Sequence, residues 1–75
     1  MKLYFDKNAN EDIEVAVLNG ANKSSFSYIS MIKSLLGGET LESEFAQTVD
    51  GDEQQRIEGI LKEIENAVNP PILQV

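Results

Sequence analysis

The first nineteen residues alternate apolar and polar side chains with a period of two. Residues 2–6 alternate around Leu3 and Phe5, and residues 13–18 do so around β-branched side chains. This period is typical of strands with one buried face. The polar segment 6–12 between them predicts a turn, and Asn19-Gly20 predicts the end of the second strand. We therefore expect an antiparallel hairpin. Its inner face would consist of Leu3, Phe5, Ile13, Val15 and Val17.

A two-stranded ribbon is marginal alone in water, so helices must cover this face. The run 26–38 predicts the first helix, with Ser27 as its N-cap and Gly37-Gly38 as its end. Phe26 and Met31 have the spacing of a hydrophobic staple. Ile29 widens the apolar stripe, which favours burial on two sides. The stripe itself follows helical spacing: Tyr28, Met31, Ile32, Leu35 and Leu36.

Two segments near this helix have ambiguous patterns. Residues 26–28 also alternate with serine, so a third strand there is an alternative to an early helix start. In residues 39–49, Leu41 and Phe45 lie four positions apart, which predicts one or two helical turns.

The last helix has the clearest local signals. Asp50 and Glu53 have capping-box spacing, Asp52 adds negative charge to the N-terminal turn, and Pro70-Pro71 prevents continuation. The favourable i, i+4 charge pairs are Asp52 with Arg56 and Glu58 with Lys62. The helix carries a narrow apolar stripe: Ile57, Ile60, Leu61, Ile64 and Val68. Each buried aliphatic side chain contributes roughly 1.5–3 kcal/mol, so we expect the front half of the chain to cover this stripe.

These patterns together predict an α+β fold in the order β-β-α-α, with a hairpin packed on two main helices. Residues 1–69 would form one domain and residues 70–75 a C-terminal tail. The apolar residues Ile72, Leu73 and Val75 would cover the helix end, pair with a hairpin edge, or stay unstructured.

The composition argues against catalysis and metal binding. The 75 residues include no Cys and no His, so disulfides, common zinc sites and the usual neutral-pH base are excluded. Asp50, Asp52 and Glu53 lie close together, but the segment lacks the central Gly of a calcium loop, and helix capping explains its acids. We predict no enzyme activity, no catalytic or metal site and no cofactor.

Charge is unevenly distributed along the chain. The net charge is −7; acids and lysines balance up to Gly38, whereas nine acids meet only Arg56 and Lys62 from Glu39 onward. Such a field repels phosphates, so direct binding of nucleic acid or membrane is disfavoured and a basic protein partner is favoured. With no signal peptide and no long apolar run, a soluble cytoplasmic protein is expected.

The outer face of the last helix is the candidate partner-binding site. Gly59 lies there, away from the apolar stripe, where glycine costs roughly 1 kcal/mol relative to alanine. Either Gly59 lets another backbone approach closely, or the face is simply a solvated acidic surface and the glycine is neutral. The candidate residues are Gln55, Glu58, Gly59, Lys62, Glu63, Glu65 and Asn66. Three hypotheses follow: a module that binds a basic partner surface, a DNA mimic that inhibits a nucleic-acid-binding protein, and a homodimer formed through the first helix.

Overall fold

The computed structural model describes residues 1–70. This part of the chain forms four strands and two helices in the order β-β-β-α-β-α, and the α+β class is confirmed. The predicted order β-β-α-α is wrong, since two further strands are present and one lies between the helices. The elements are β1 (Lys2–Lys7), β2 (Ile13–Asn19), β3 (Asn22–Ser25), α1 (Tyr28–Leu36), β4 (Glu42–Phe45) and α2 (Gly51–Val68).

The sheet has the strand order β3-β2-β1-β4. The predicted hairpin is confirmed: β1 and β2 pair antiparallel, with Leu3 opposite Val17 and Phe5 opposite Val15. This register places the predicted apolar residues of both strands on one face. At the turn end of the hairpin Ile13 is 39% exposed, so the inner face is covered over most of its length.

A third strand is present, but it precedes residues 26–28, where the sequence pattern allowed one. β3 pairs antiparallel with β2, and Asn19 lies opposite Asn22 across a two-residue turn. Gly20 in this turn has φ of +65°, a left-handed conformation that glycine adopts without strain. All four β3 side chains are exposed, so hydrophobic periodicity carried no signal for it. Residues 26–27 form a connection, and α1 starts at Tyr28.

The ends of α1 match the sequence prediction. The side chain of Ser27 accepts a hydrogen bond from the Ser30 N–H, and the N–H of Gly37 donates to Lys33. The predicted stripe is only partly buried. Met31 and Leu35 are each 1% exposed, whereas exposed apolar side chains also lie on this helix: Tyr28 at 56%, Ile29 at 63% and Leu36 at 68%. The expected burial of α1 on two sides is therefore wrong within the described chain.

Residues 42–45 form a strand, so the helical turns predicted for 39–49 are wrong. β4 pairs parallel with β1, and Phe45 lies opposite Phe5. The N–H of Glu42 donates to Met1, and the N–H of Ala46 donates to Phe5, each at 2.9 Å. The i, i+4 spacing of Leu41 and Phe45 is that of a helix. Backbone hydrogen bonds to β1 stabilise an extended conformation of this segment instead.

The last helix begins as predicted. Asp50 and Glu53 form a reciprocal capping box. Glu53 Oε1 also lies 2.7 Å from Lys7 Nζ, which ties the start of α2 to the end of β1. At its other end, Asn69 Nδ2 donates to the Leu35 carbonyl at 2.7 Å, so both helices end at the same end of the molecule.

The apolar stripe of α2 is covered by the front half of the chain, with one exception. Leu61 is 9% exposed and belongs to the core, whereas Ile60 is 55% exposed and lies outside it. Among residues 1–70, neither predicted i, i+4 charge pair is among the ion pairs within 4.0 Å. The core consists of Leu3, Phe5, Met31, Leu35, Val49 and Leu61, with Ile57, Ile64 and Val68 packed against it.

Both helices thus cover one face of the sheet, and the other face is open over the described residues. The predicted contacts of Ile72, Leu73 and Val75 fall on residues 71–75, outside the described part of the chain.

Candidate functional site

An open groove of about 470 Å³ separates β4 from α2. Here the predicted partner-binding face of α2 lies next to β4. Its walls come from the edge strand on one side and from one flank of the helix on the other. The lining residues are Leu41, Ser43, Glu58, Leu61, Lys62, Glu65 and Asn66.

The two-residue period of β4 determines which side chains reach the groove. Ser43 lies opposite the buried Leu3 and so points to the helix side of the sheet. Glu42 and Glu44 lie opposite Lys2 and Tyr4 and point to the open face. The edge of β4 therefore has a mostly apolar side toward α2 and an acidic side toward solvent.

The helical wall follows from the i, i+3, i+7 spacing of Glu58, Leu61 and Glu65, which places them along one flank of α2. Leu61 is buried at the floor together with the half-buried Leu41 of the neighbouring segment. The carboxylates stand above an apolar base. Such a combination is typical of surfaces that bind a side chain with an aliphatic stem and a charged end.

The carboxylates of the groove are not held in close ion pairs within the described residues. Among residues 1–70, Glu58 and Glu65 form no ion pair within 4.0 Å. Lys62 also lines the groove and offsets part of their charge. On the open face of the sheet, Glu44 lies 4.0 Å from Lys2 Nζ. The β4 edge is thus flanked by negative charge on both faces.

The structure divides the seven candidate residues into two sets. Glu58, Lys62, Glu65 and Asn66 are brought together in the groove. The others lie on the exposed surface of α2 outside it: Gln55, Gly59 and Glu63. A Cβ built on Gly59 would meet no atom within 4 Å, so no neighbouring backbone in the described chain requires a glycine there.

Leu41 and Ser43 complete the groove and were missed from the sequence. The helical turns that the sequence predicts for residues 39–49 leave Leu41 and Ser43 no place beside the last helix. The signal that would have found them is the alternation of Leu41, Ser43 and Phe45 with Glu42 and Glu44. That is the period of a strand with one buried face.

A cluster of polar contacts at the start of α2 positions the helix beside the sheet. The Thr48 hydroxyl and the Lys7 N–H donate to Asp6, and both bonds lower the pKa of its carboxyl. The hydrogen bond to Glu53 raises the pKa of Lys7. The backbone N–H of Glu53 lowers the pKa of Asp50. Each hydrogen bond stabilises the charged form of its group. The bonds from Thr48 to Asp6 and from Lys7 to Glu53 join the end of β1 to the start of α2 and the segment before it.

A second depression, of about 390 Å³, lies on the open face of the sheet. Lys23 Nζ stands 4.0 Å from the centre of the Tyr4 ring at this site, in a cation–π contact. Asp6 and Glu14 line it as well. Its lining carries two carboxylates and one lysine, the same formal charge as the groove, with Lys23 held against the Tyr4 ring.

Within residues 1–70, no group of three or more acidic side chains is arranged to hold a metal ion. No helix in this part of the chain is long and apolar enough to cross a bilayer. Comparison with protein-family models, curated proteins and solved structures finds no match.

Proposed function

We propose that this protein is a non-enzymatic interaction module that binds a basic segment of another protein in the groove between β4 and α2. The observation that carries the proposal is the pair Glu58 and Glu65, which stand without an ion partner among residues 1–70 above the apolar side chains of Leu41 and Leu61.

A lysine or arginine fits this arrangement in two ways. Its methylene stem would cover Leu41 and Leu61, and its charged end would lie near the carboxylates of Glu58 and Glu65. The net charge of −7 would also attract a basic partner over longer distances and raise the association rate at low salt. Binding of this kind weakens as salt rises, because ions screen the attraction.

A charge-matched pair of variants tests the location. Glu58→Gln with Glu65→Gln removes two charges from the groove, and Glu11→Gln with Glu14→Gln removes two exposed charges elsewhere. A fluorescent oligolysine peptide serves as the probe, titrated by anisotropy at about 20 mM and about 200 mM NaCl. We expect the groove variant to weaken binding at least about fivefold more than its control.

Equal weakening by both variants would mean that only net charge matters and that the groove is not the site. Binding that does not change with salt would contradict the electrostatic basis of the proposal. Competition by duplex DNA for a natural basic partner would distinguish the DNA-mimic hypothesis, which needs the same acidic surface but a nucleic-acid-binding target.

Self-association is a second candidate, supported by the exposed apolar side of α1. Ile29 and Leu36 share a face with Ile32 and are 63% and 68% exposed. The helix carries Lys33 and no acid, so two negatively charged copies would meet here with the least repulsion. Sedimentation should then show a dimer that Ile29→Lys abolishes, while a concentration-independent monomer would exclude it.

A further inference from the structure

The outer edge of β4 has the geometry of a template for one more strand. Among residues 1–70, β4 pairs only with β1, so its other edge has no partner strand. An unpaired edge presents backbone donors and acceptors that favour pairing with another chain. The groove described above runs beside this edge and leaves room between β4 and α2.

The hydrogen bonds of β4 identify the groups that face outward. The N–H groups of Glu42 and Ala46 point to β1, where they donate to Met1 and Phe5. Because successive N–H groups along a strand point in opposite directions, those of Ser43 and Phe45 point to the outer edge. These two N–H groups lie beside the groove, next to Glu42 and Glu44 in the strand.

The charges on the two faces of this edge select the chemistry of an added strand. Glu42 and Glu44 stand on the open face, two residues apart, and so match alternate side chains of a neighbouring strand. On the helix side, an added strand would meet Leu41 and Leu61 with the carboxylates of Glu58 and Glu65 above them. Basic side chains two residues apart would face Glu42 and Glu44, and the apolar side chains between them would face Leu41 and Leu61. A basic residue beyond the paired stretch would meet Glu58 and Glu65.

We propose that the basic segment bound by this protein is extended and pairs with β4 as a fifth strand. This inference rests on the proposed function and adds the mode of binding. The segment would alternate lysine or arginine with aliphatic residues, and its backbone would bond to Ser43 and Phe45. The opposite edge of the sheet suits such a segment less well, because β3 carries Lys23 and no acid.

Three peptides of identical charge separate strand addition from simple attraction. The first alternates lysine with valine, and the other two have the same sequence with N-methyl groups on alternate amides, one in each register. N-methylation removes backbone donors and blocks pairing while every charge remains. We expect the methylated peptides to bind at least about tenfold more weakly in one register or both.

Amide hydrogen exchange provides the second measurement. In the free protein the N–H groups of Ser43 and Phe45 should exchange faster than those of Glu42 and Glu44. The unmethylated peptide should slow both at least about tenfold. Ser43→Pro should reduce peptide binding by a similar factor, since proline lacks the outward donor, whereas Ser43→Ala keeps it and should bind normally.

The outcomes distinguish the two proposals. If methylated and unmethylated peptides bind equally and the two amides do not change, strand addition is wrong, while sensitivity to Glu58→Gln and Glu65→Gln would still support the acidic groove. Slow exchange of both amides before peptide is added would show an edge already occupied, by this chain or by a second copy, and would also overturn strand addition. If none of the peptides binds and oligolysine does not bind, both proposals fail.

Discussion

The rings of Phe5 and Phe45 stack with their centres 5.3 Å apart and their planes at 22°. They lie opposite each other in the parallel pair of β1 and β4. Separations of 4.5–7 Å are typical of favourable aromatic pairs. The contact joins a buried residue of the central strand to the edge strand that borders the groove. It therefore links the stability of the core to the position of the candidate site.

Phe45→Ala should lower the free energy of unfolding by about 2 kcal/mol, because it removes the stacked ring and leaves a gap beside Phe5. Phe45→Leu fills most of that space and should cost about 1 kcal/mol. Urea unfolding followed by circular dichroism measures both values. Equal stability of the alanine variant and the natural protein would show that β4 is not anchored by this pair.

Two adjacent residues of α2 test the orientation of the helix. Leu61→Ala should destabilise the protein by about 3 kcal/mol, since Leu61 is 9% exposed and belongs to the core. Ile60→Ala should cost less than about 1 kcal/mol, because Ile60 is 55% exposed. Thermal unfolding of both variants gives the comparison, and a larger effect at Ile60 would place the wrong face of the helix against the sheet.

Two glycine substitutions should have opposite effects. Gly59→Ala should raise the free energy of unfolding by up to about 1 kcal/mol, because Gly59 is helical and the added Cβ meets nothing within 4 Å. Gly38→Ala should lower it by about 1 kcal/mol, since Gly38 has φ of +93°. Melting temperatures test both signs. Should Gly59→Ala weaken partner binding instead, the outer helix face would belong to the site after all.

Acid should destabilise the protein partly through Asp50. Its pKa is lowered from 3.8, chiefly by the hydrogen bond from the Glu53 N–H. A lowered carboxyl pKa means stability that is present above about pH 4 and is lost as pH falls through the folded value. Asp50→Asn keeps a good N-cap without the charge, so its melting temperature should fall less between pH 5 and pH 2. Parallel pH profiles for the two proteins would contradict this assignment.

Local signals in the sequence predicted α2 and the ends of α1 correctly. Asp50, Glu53 and Ser27 act on backbone groups within three residues, so their effect is readable without the tertiary fold. The β1–β2 hairpin was also predicted, because both strands bury alternate residues and are close in sequence. These elements form through interactions between residues that are close in the sequence.

The two missed strands depend on partners that the local pattern does not reveal. β3 has four exposed side chains and forms because the turn at Gly20 returns the backbone to β2. β4 pairs with β1 across about 40 residues, and the spacing of Leu41 and Phe45 resembled a helical turn. Missing β4 also removed one wall of the groove, which Leu41 and Ser43 line.

The parallel pairing of β1 with β4 has a consequence for the order of folding. The β1–β2 hairpin closes a short loop, whereas β4 can join only after a loop of about 40 residues, including α1, has closed. A ligand that binds to β4 favours the state in which this late step is complete, so its binding energy adds to the stability of the whole domain. The free energy of unfolding of this small domain would therefore be largest when a ligand is bound to β4.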